Sequence, residues 1–223
     1  MARIDNKSED KVLLDSSRFN SLNPIYEKNL NYLIRKYTVE IDDSFKELVN
    51  FKKNSIAPKH SWFEYKQGYA NELVRKLIIH EKPLNNLHVL DPFCGVGTTN
   101  LVAQELGYKS VGYDVNPIAT LAARTKTAIF NDIEIKALEN IIENISFEKD
   151  FEKPKLKLLT NAYAEKDLII LMQIRGFIES IKNKKYKDFF MTAYLSIVEE
   201  CSNRKKDGNG IKIIKKQRKK LNI

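Results

Sequence analysis

A glycine loop between two apolar segments constrains the fold of this chain more than any other feature. Leu87 to Leu90 forms the first segment, Gly95 and Gly97 lie in the loop that follows, and the second segment ends at Asp114. This order is typical of the first half of a nucleotide-binding βαβ unit, in which a tight loop lets the backbone approach a ligand. An acid about 20 residues further on then accepts hydrogen bonds from ribose hydroxyls. The pattern therefore predicts a parallel sheet with a nucleotide site at its carboxyl edge.

The residues after the glycines narrow the kind of loop. No third glycine follows Gly97, and Thr98 and Thr99 open the next helix, where a threonine side chain is expected to cap free amide hydrogens. No Gly-Lys-Ser or Gly-Lys-Thr follows the glycines, which excludes a phosphate-binding P-loop. Because a lone Gly-x-Gly is weak evidence, the flanking residues decide what the loop binds.

Both flanks point to one family. Asp91 to Thr98 reads Asp-Pro-Phe-Cys-Gly-Val-Gly-Thr, and Tyr113 to Pro117 reads Tyr-Asp-Val-Asn-Pro. The first segment resembles the DPFxGxGT cofactor motif of S-adenosylmethionine-dependent DNA methyltransferases that modify exocyclic amino groups, and the second resembles the motif that follows it. Phe63 to Ile78 resembles the preceding motif, so the clear resemblance covers roughly residues 60 to 125. Ser202 to Asn209 is more loosely similar to a segment found in one branch.

The resemblance implies S-adenosylmethionine as the cofactor and assigns roles to individual residues. Asp91 would serve the methionine ammonium, Phe93 would form an apolar wall near the sulfonium or adenine, and Asp114 would accept from both ribose hydroxyls. Gly95 and Gly97 would leave room for the methionine portion, which any Cβ would obstruct. The complete predicted cofactor set is Phe63, Tyr65, Asp91, Pro92, Phe93, Gly95, Gly97, Thr98, Thr99, Asp114, Val115, Asn116 and Pro117. The aromatic pair Phe63 and Tyr65 is equally consistent with simple packing on the sheet.

Two absent dipeptides bear on the chemistry. The chain has no Pro-Cys, the dipeptide that supplies the thiolate nucleophile needed for methylation of cytosine at carbon 5, and this disfavours that reaction. It has no Pro-Pro either, whereas amino-methyltransferases use a polar residue, Pro-Pro and an aromatic to orient the flipped base. We therefore predict no catalytic residue here, and expect either a truncated product or one subunit of a split restriction–modification enzyme. A partner subunit would carry the Pro-Pro-aromatic motif, and adenine and cytosine both stay open as targets.

Two other functions stay open at this stage. An RNA methyltransferase acting on a nucleobase amine is chemically close, and a recognisable RNA-binding domain would favour it. A non-catalytic remnant that binds S-adenosylmethionine or DNA would also lack the base-orienting motif.

The positive charge of the chain is concentrated near its end. The net charge is +9, and residues 204 to 220 hold nine basic residues and one acid. Such a segment is either a solvated tail or a surface that contacts phosphates, and the resemblance favours the second interpretation. The predicted DNA contacts are Arg204, Lys205, Lys206, Lys215, Lys216, Arg218, Lys219 and Lys220.

The predicted fold is α/β, a partial Rossmann-like class I methyltransferase fold with few parallel strands and helical N-terminal and C-terminal segments. Its three parts would be a helical segment at 1–58, the S-adenosylmethionine-binding part at 59–130, and a helical segment with a basic tail at 131–223. Apolar spacing predicts two short helices before residue 60, one near 71–79, and four more within 118–128, 133–145, 168–181 and 189–199. Residues 156–159 are expected to form a further strand.

Other functional classes find little support in the composition. The first residues contain no apolar core of signal-peptide length, and the longest apolar run is far shorter than a membrane span, so we expect a cytoplasmic protein. Cys94 and Cys201 form no Cys-x-x-Cys pair, so neither a disulfide nor a metal site is predicted.

Overall fold

The computed structural model describes residues 4–5, 24–39, 43–65, 68–80, 88–145, 161–206 and 210–214. These residues belong to two compact units, Met1–Glu47 and Leu48–Ile223. In the first unit, β1 (Ile4–Asp5) pairs antiparallel with β2 (Thr38–Val39), and α1 (Pro24–Lys36) lies between them in sequence. A 3-10 helix at Asp43–Leu48 crosses the boundary between the units in sequence.

The second unit is built around a short parallel sheet with helices. Strand β3 (His88–Asp91) pairs with β4 (Lys109–Gly112) in a register that places Asp91 opposite Gly112. The α-helices of this unit are α2 (Asn71–His80), α3 (Thr98–Glu105), α4 (Pro117–Thr127), α5 (Asp132–Glu143), α6 (Glu165–Ser180) and α7 (Lys184–Val198). Two 3-10 helices, Lys52–Ile56 and His60–Trp62, precede α2. The predicted α/β class is confirmed.

Asparagine side chains fix where three of the helices begin. Asn116 accepts a hydrogen bond from the Ile118 amide, and Pro117 occupies the first turn of α4, where its missing amide hydrogen costs nothing. Asn131 forms a capping box with Glu134 at the start of α5. Asn183 caps α7 by accepting from two backbone amides. The starts of α4 and α5 lie one residue from those that apolar spacing predicts, whereas α7 begins five residues earlier than predicted because Asn183 caps it.

Small side chains let α3 and α4 pack closely beside the sheet. Ala119 and Ala122 of α4 are buried, as are Leu101, Val102 and Ala103 of α3. On its other side α4 packs against α7, where the hydroxyls of Thr125 and Thr192 lie 2.8 Å apart. The core cluster of the second unit consists of Phe51, Val96, Ala119 and Ala122, so it includes residues of α4 and of the loop before α3.

The C-terminal segment differs from the prediction of a helical segment with a basic tail. Beyond α7, β5 (Arg204–Lys206) and β6 (Ile211–Ile213) form an antiparallel hairpin in which Lys205 lies opposite Lys212. The alternation of Ile211, Lys212 and Ile213 carries the period of a strand, but the dense positive charge obscured it. The second of the two short helices predicted before residue 60 forms as a 3-10 helix, Asp43–Leu48.

Two further predictions are not tested by the described residues. The strand expected at 156–159 lies outside the described residues. The three-part division at residues 58 and 130 stays a prediction. Within the described ranges, no helix is both long enough and apolar enough to cross a membrane.

Candidate functional site

Two carboxylates lie at the carboxyl ends of the two parallel strands. Asp91 is the last residue of β3, and Asp114 follows two residues after β4 ends at Gly112. The backbone joins the strand ends, because the Tyr113 amide donates to the Asp91 carbonyl and the Cys94 amide donates to the Tyr113 carbonyl, both at 2.9 Å. In open α/β sheets, ligands bind outside the carboxyl ends of the strands. The loop between β3 and α3 therefore lies where a ligand would be expected.

Asp114 ties the glycine loop to the second strand. Its Oδ2 accepts from the Gly95 amide at 2.9 Å, and its Oδ1 accepts from the Asn116 amide at 2.8 Å. Each carboxylate oxygen has a second lone pair, so the half-buried side chain keeps acceptor capacity for two ligand hydroxyls. This acid both holds the loop in place and presents acceptors beside it.

Asp91 belongs to a network that the sequence did not reveal. Its Oδ1 accepts from the Phe93 amide at 3.0 Å, and its Oδ2 accepts from the Tyr69 hydroxyl at 2.9 Å. Because the phenol proton is directed at the carboxylate, the Thr99 hydroxyl, 2.5 Å from the phenol oxygen, acts as the donor in that contact. Burial raises the pKa of Tyr69 to about 12, so the phenol stays protonated at neutral pH. Tyr69 thus fixes the orientation of Asp91.

The two loop glycines serve different purposes. A Cβ on Gly97, whose φ is +79°, would lie 2.8 Å from Ala123 Cβ and 2.9 Å from its Cα. Gly97 is therefore needed for the contact between α3 and α4, and its role in making room for the cofactor stays a prediction. A Cβ on Gly95 would approach the Tyr65 ring, at 3.3 Å from Cε1. The two glycines of one motif face different neighbours.

The predicted threonine cap is wrong. Gly97 is the N-cap residue of α3 and supplies no side-chain hydrogen bond. Thr98 is buried, and the Thr99 hydroxyl is turned toward Tyr69. The helix α3 therefore begins without a side-chain cap on its N-cap residue.

Apolar side chains surround the loop on its open side. Phe93 is 85% exposed and Val115 is fully exposed, each one or two residues from an acid of the site. Pro92 is exposed as well, and Pro117 begins α4. Large exposed apolar side chains next to hydrogen-bonding groups are typical of a ligand site.

Phe63 and Tyr65 lie beside the loop from the N-terminal side. Both pack against a core cluster of Phe51, Val96, Ala119 and Ala122. The aromatic segment thus packs as an anchor on the core, and the edge of Tyr65 also faces Gly95. The structure brings these two residues together with the loop.

Cys94 fills space inside the loop. It is buried, its Sγ contacts the Gly95 carbonyl at 3.7 Å, and burial raises the pKa of its thiol. A buried thiol of raised pKa makes a poor nucleophile. Among the described residues, no group of three or more His, Cys, Asp or Glu side chains is arranged to hold a metal ion.

The predicted DNA contacts fall into two groups. Arg204, Lys205 and Lys206 lie on β5. Lys215, Lys216, Arg218, Lys219 and Lys220 lie outside the described residues. Lys212 lies opposite Lys205 in the hairpin and was not among the predicted contacts, because this pairing depends on the hairpin register.

Comparison with known proteins identifies relatives of one kind. The model of the DNA methylase family of the N6/N4 type matches residues 6–124. The chain is 32% identical over 203 residues to the type II methyltransferase M.BsoBI of Geobacillus stearothermophilus, covering 83% of this chain and 39% of the relative. It is 26% identical over 216 residues to M.AvaI of a Nostoc species, covering 92% and 42%. With M.MvaI of Kocuria varians the identity is 24% over 209 residues, covering 86% and 44%.

The coverage of these alignments is unequal. They extend over most of this chain, yet the chain spans only about two fifths of the length of each curated relative. No solved structure matches the chain.

Proposed function

The chain belongs to the N6/N4-type DNA methylase family, and from that membership we propose that it is the S-adenosylmethionine-binding part of a DNA amino-methyltransferase. The substrate would be the exocyclic amino group of adenine or cytosine in DNA, and the enzyme would serve a restriction–modification system. The type II methyltransferases to which the chain is similar support this proposal.

One observation carries the proposal. Two half-buried carboxylates, Asp91 and Asp114, flank a glycine loop at the ends of adjacent parallel strands, with the exposed side chains of Phe93 and Val115 beside them. These acceptors and apolar side chains fit the cofactor, which presents a cationic ammonium, a ribose diol and an apolar adenine. Asp91 would accept from the ammonium, Asp114 would accept from the ribose hydroxyls, and the apolar side chains would contact the adenine.

Bound S-adenosylmethionine would supply an electrophilic methyl group on a sulfonium. The residues of this chain would hold that group in line with the incoming amine, because positioning provides much of the rate in such a displacement. In this family a Pro-Pro-aromatic motif orients the amine. This sequence contains none, so residues outside it, on the same polypeptide or on a partner subunit, would supply the motif.

Exposed apolar side chains on one face of the β3–β4 sheet suggest that another part of the enzyme covers this face. Leu90 and Val111 lie opposite each other in the β3–β4 register, and they are 66% and 50% exposed. Apolar residues on one face of a parallel sheet are normally covered, since such sheets occur almost only with both faces buried. We propose that the rest of the catalytic domain covers this face.

The basic hairpin would contact the phosphate backbone of DNA. Lys205 and Lys212 are exposed and lie directly across from each other, although like charges in that arrangement repel. A phosphate between the two ammonium groups would remove the repulsion. Arg204, Lys206 and the basic residues after 214 would extend the same contact.

Transfer of a labelled methyl group from S-adenosylmethionine to DNA tests the proposal. The chain would be assayed alone and with a polypeptide that carries a Pro-Pro-aromatic motif, such as the product of the adjacent gene. We expect incorporation only with both polypeptides. Incorporation by the chain alone would contradict the need for a partner, and binding of cofactor without transfer in any combination would favour a non-catalytic remnant.

A further inference from the structure

Lys126 is a buried cation near the end of α4. Its side chain is fully buried, and within the described part of the chain no carboxylate forms an ion pair with it. Its Nζ donates to the carbonyl oxygens of His60 and Phe63, each at 3.0 Å, and lies 5.5 Å from the centre of the Phe51 ring. Burial lowers the pKa of Lys126 to about 8, which reflects the cost of placing the charge there. An apolar side chain of similar length would avoid that cost.

The two carbonyls belong to the segment that carries the aromatic side chains of the site. This aromatic segment, residues 59–65, begins at Lys59, whose φ of 58° is unusual for a residue other than glycine. The Lys59 ammonium donates to the Ala128 carbonyl at 3.4 Å, just beyond the end of α4. Together with the two bonds from Lys126, this contact ties the aromatic segment to the C-terminal end of α4.

The aromatic segment also contacts the glycine loop. Tyr65 follows Phe63 by two residues, and its ring faces Gly95, whose amide donates to Asp114. Between the two carbonyls held by Lys126 lies Trp62, whose ring meets the Phe189 ring of α7 edge-on at 5.7 Å. The position of Tyr65 at the loop therefore depends on the anchoring of the chain just before it.

We propose that Lys126 is a positioning residue that holds the aromatic segment against α4, so that Tyr65 lies beside Gly95 and completes one wall of the cofactor site. The proposal rests on the proposed S-adenosylmethionine site for its functional consequence. Its structural part, the anchoring of residues 59–65, is independent of any ligand. The hydrogen bonds of the Lys126 ammonium within the described residues go to His60 and Phe63 and not to Asp91 or Asp114, so its effect on the cofactor would pass through the aromatic segment.

The single tryptophan of the chain provides a direct reporter. Trp62 lies inside the anchored segment, so its emission spectrum and its quenching by acrylamide report the anchoring without cofactor or activity. The full chain would be compared with Lys126→Met, and with Lys136→Met as a matched control on the exposed face of α5. Binding of S-adenosylmethionine would be measured calorimetrically on the same three proteins.

We expect Lys126→Met to shift the Trp62 emission to longer wavelength, to increase its quenching, and to weaken S-adenosylmethionine binding about tenfold, which corresponds to about 1.4 kcal/mol. Lys136→Met should change neither measurement. Unchanged Trp62 quenching and cofactor affinity in folded Lys126→Met would overturn the proposal. If circular dichroism shows that Lys126→Met does not fold, Lys126→Gln takes its place, and its amide donor should give an intermediate response in both measurements.

The two readouts separate this proposal from the proposed function. If the unsubstituted chain binds no S-adenosylmethionine, the proposed function fails while the Trp62 response still tests the anchoring. If the unsubstituted chain binds the cofactor and Lys126→Met keeps the full affinity despite a mobile Trp62, the anchoring holds but the positioning role is wrong.

Discussion

Gly97 and Gly107 occupy opposite ends of α3 with nearly the same backbone conformation. Their φ angles are +79° and +81°, a region that L side chains adopt at a cost of about 1–2 kcal/mol. Their surroundings differ sharply, because a Cβ on Gly97 would lie 2.8 Å from Ala123 Cβ, whereas a Cβ on Gly107 would meet nothing within 4 Å. Alanine at the two positions therefore separates the backbone cost from the packing cost.

Gly107→Ala should lower the free energy of unfolding by about 1 kcal/mol, the backbone cost reduced by the smaller entropy of the unfolded chain. Gly97→Ala bears the same backbone cost and also forces α3 away from α4, which adds about 1–3 kcal/mol for overpacking. The expected difference between the two variants is thus about 2 kcal/mol. In thermal unfolding it corresponds to roughly 4–8 °C in Tm.

Urea unfolding followed by far-UV circular dichroism measures this difference. Removing the methyl group opposite Gly97 with Ala123→Gly should recover part of the loss in a double variant, since one of the two clashing atoms disappears. Equal destabilisation by Gly97→Ala and Gly107→Ala would refute the assignment of Gly97 to helix packing. The role that the motif predicts for Gly97, which is to make room for the ligand, would then remain.

Three further perturbations follow from the site and its surroundings. Asp114→Ala removes the acceptor of the Gly95 amide and should abolish S-adenosylmethionine binding at micromolar concentrations, so an unchanged calorimetric affinity would contradict its role. Burial, then the charges of nearby Lys126 and an arginine, lowers the pKa of His60 from 6.5 to about 4. The free energy of unfolding should therefore fall as pH drops from about 6.5 to 4, by up to about 3 kcal/mol. In His60→Asn, the free energy of unfolding measured with urea should change less over this pH range. Replacing both Lys205 and Lys212 with alanine should reduce the slope of log affinity for DNA against log salt concentration by about 2. As a control, replacing two exposed lysines, one on α5 and one on α6, should leave the slope unchanged.

The local pattern of the sequence was sufficient to predict how the centre of the candidate site is arranged. The strand that ends in Asp91, the loop and helix that follow, and the acid at Asp114 all lie within one short stretch, where spacing alone determines which groups meet. Because Asn116 and Pro117 are a cap and a first-turn residue, the start of α4 was also predictable.

Contacts between distant parts of the chain were not predictable in this way. Tyr69 reaches Asp91 across 22 residues, and Lys126 reaches His60 across 66. No spacing rule connects such positions, since the packing of α2 and α4 against α3 brings them together. The β5–β6 hairpin was missed for a different reason, because nine basic residues in a short segment dominate its composition and conceal a strand period carried by Ile211 and Ile213.

Calorimetric titration of the full chain with S-adenosylmethionine, beside the same titration of Asp114→Ala, tests the central claim most directly. The account predicts saturable binding at micromolar concentrations by the unsubstituted chain and none by the variant, with both proteins folded by circular dichroism. Absence of binding by the folded, unsubstituted chain, or equal binding by both proteins, would contradict a cofactor site at the ends of β3 and β4.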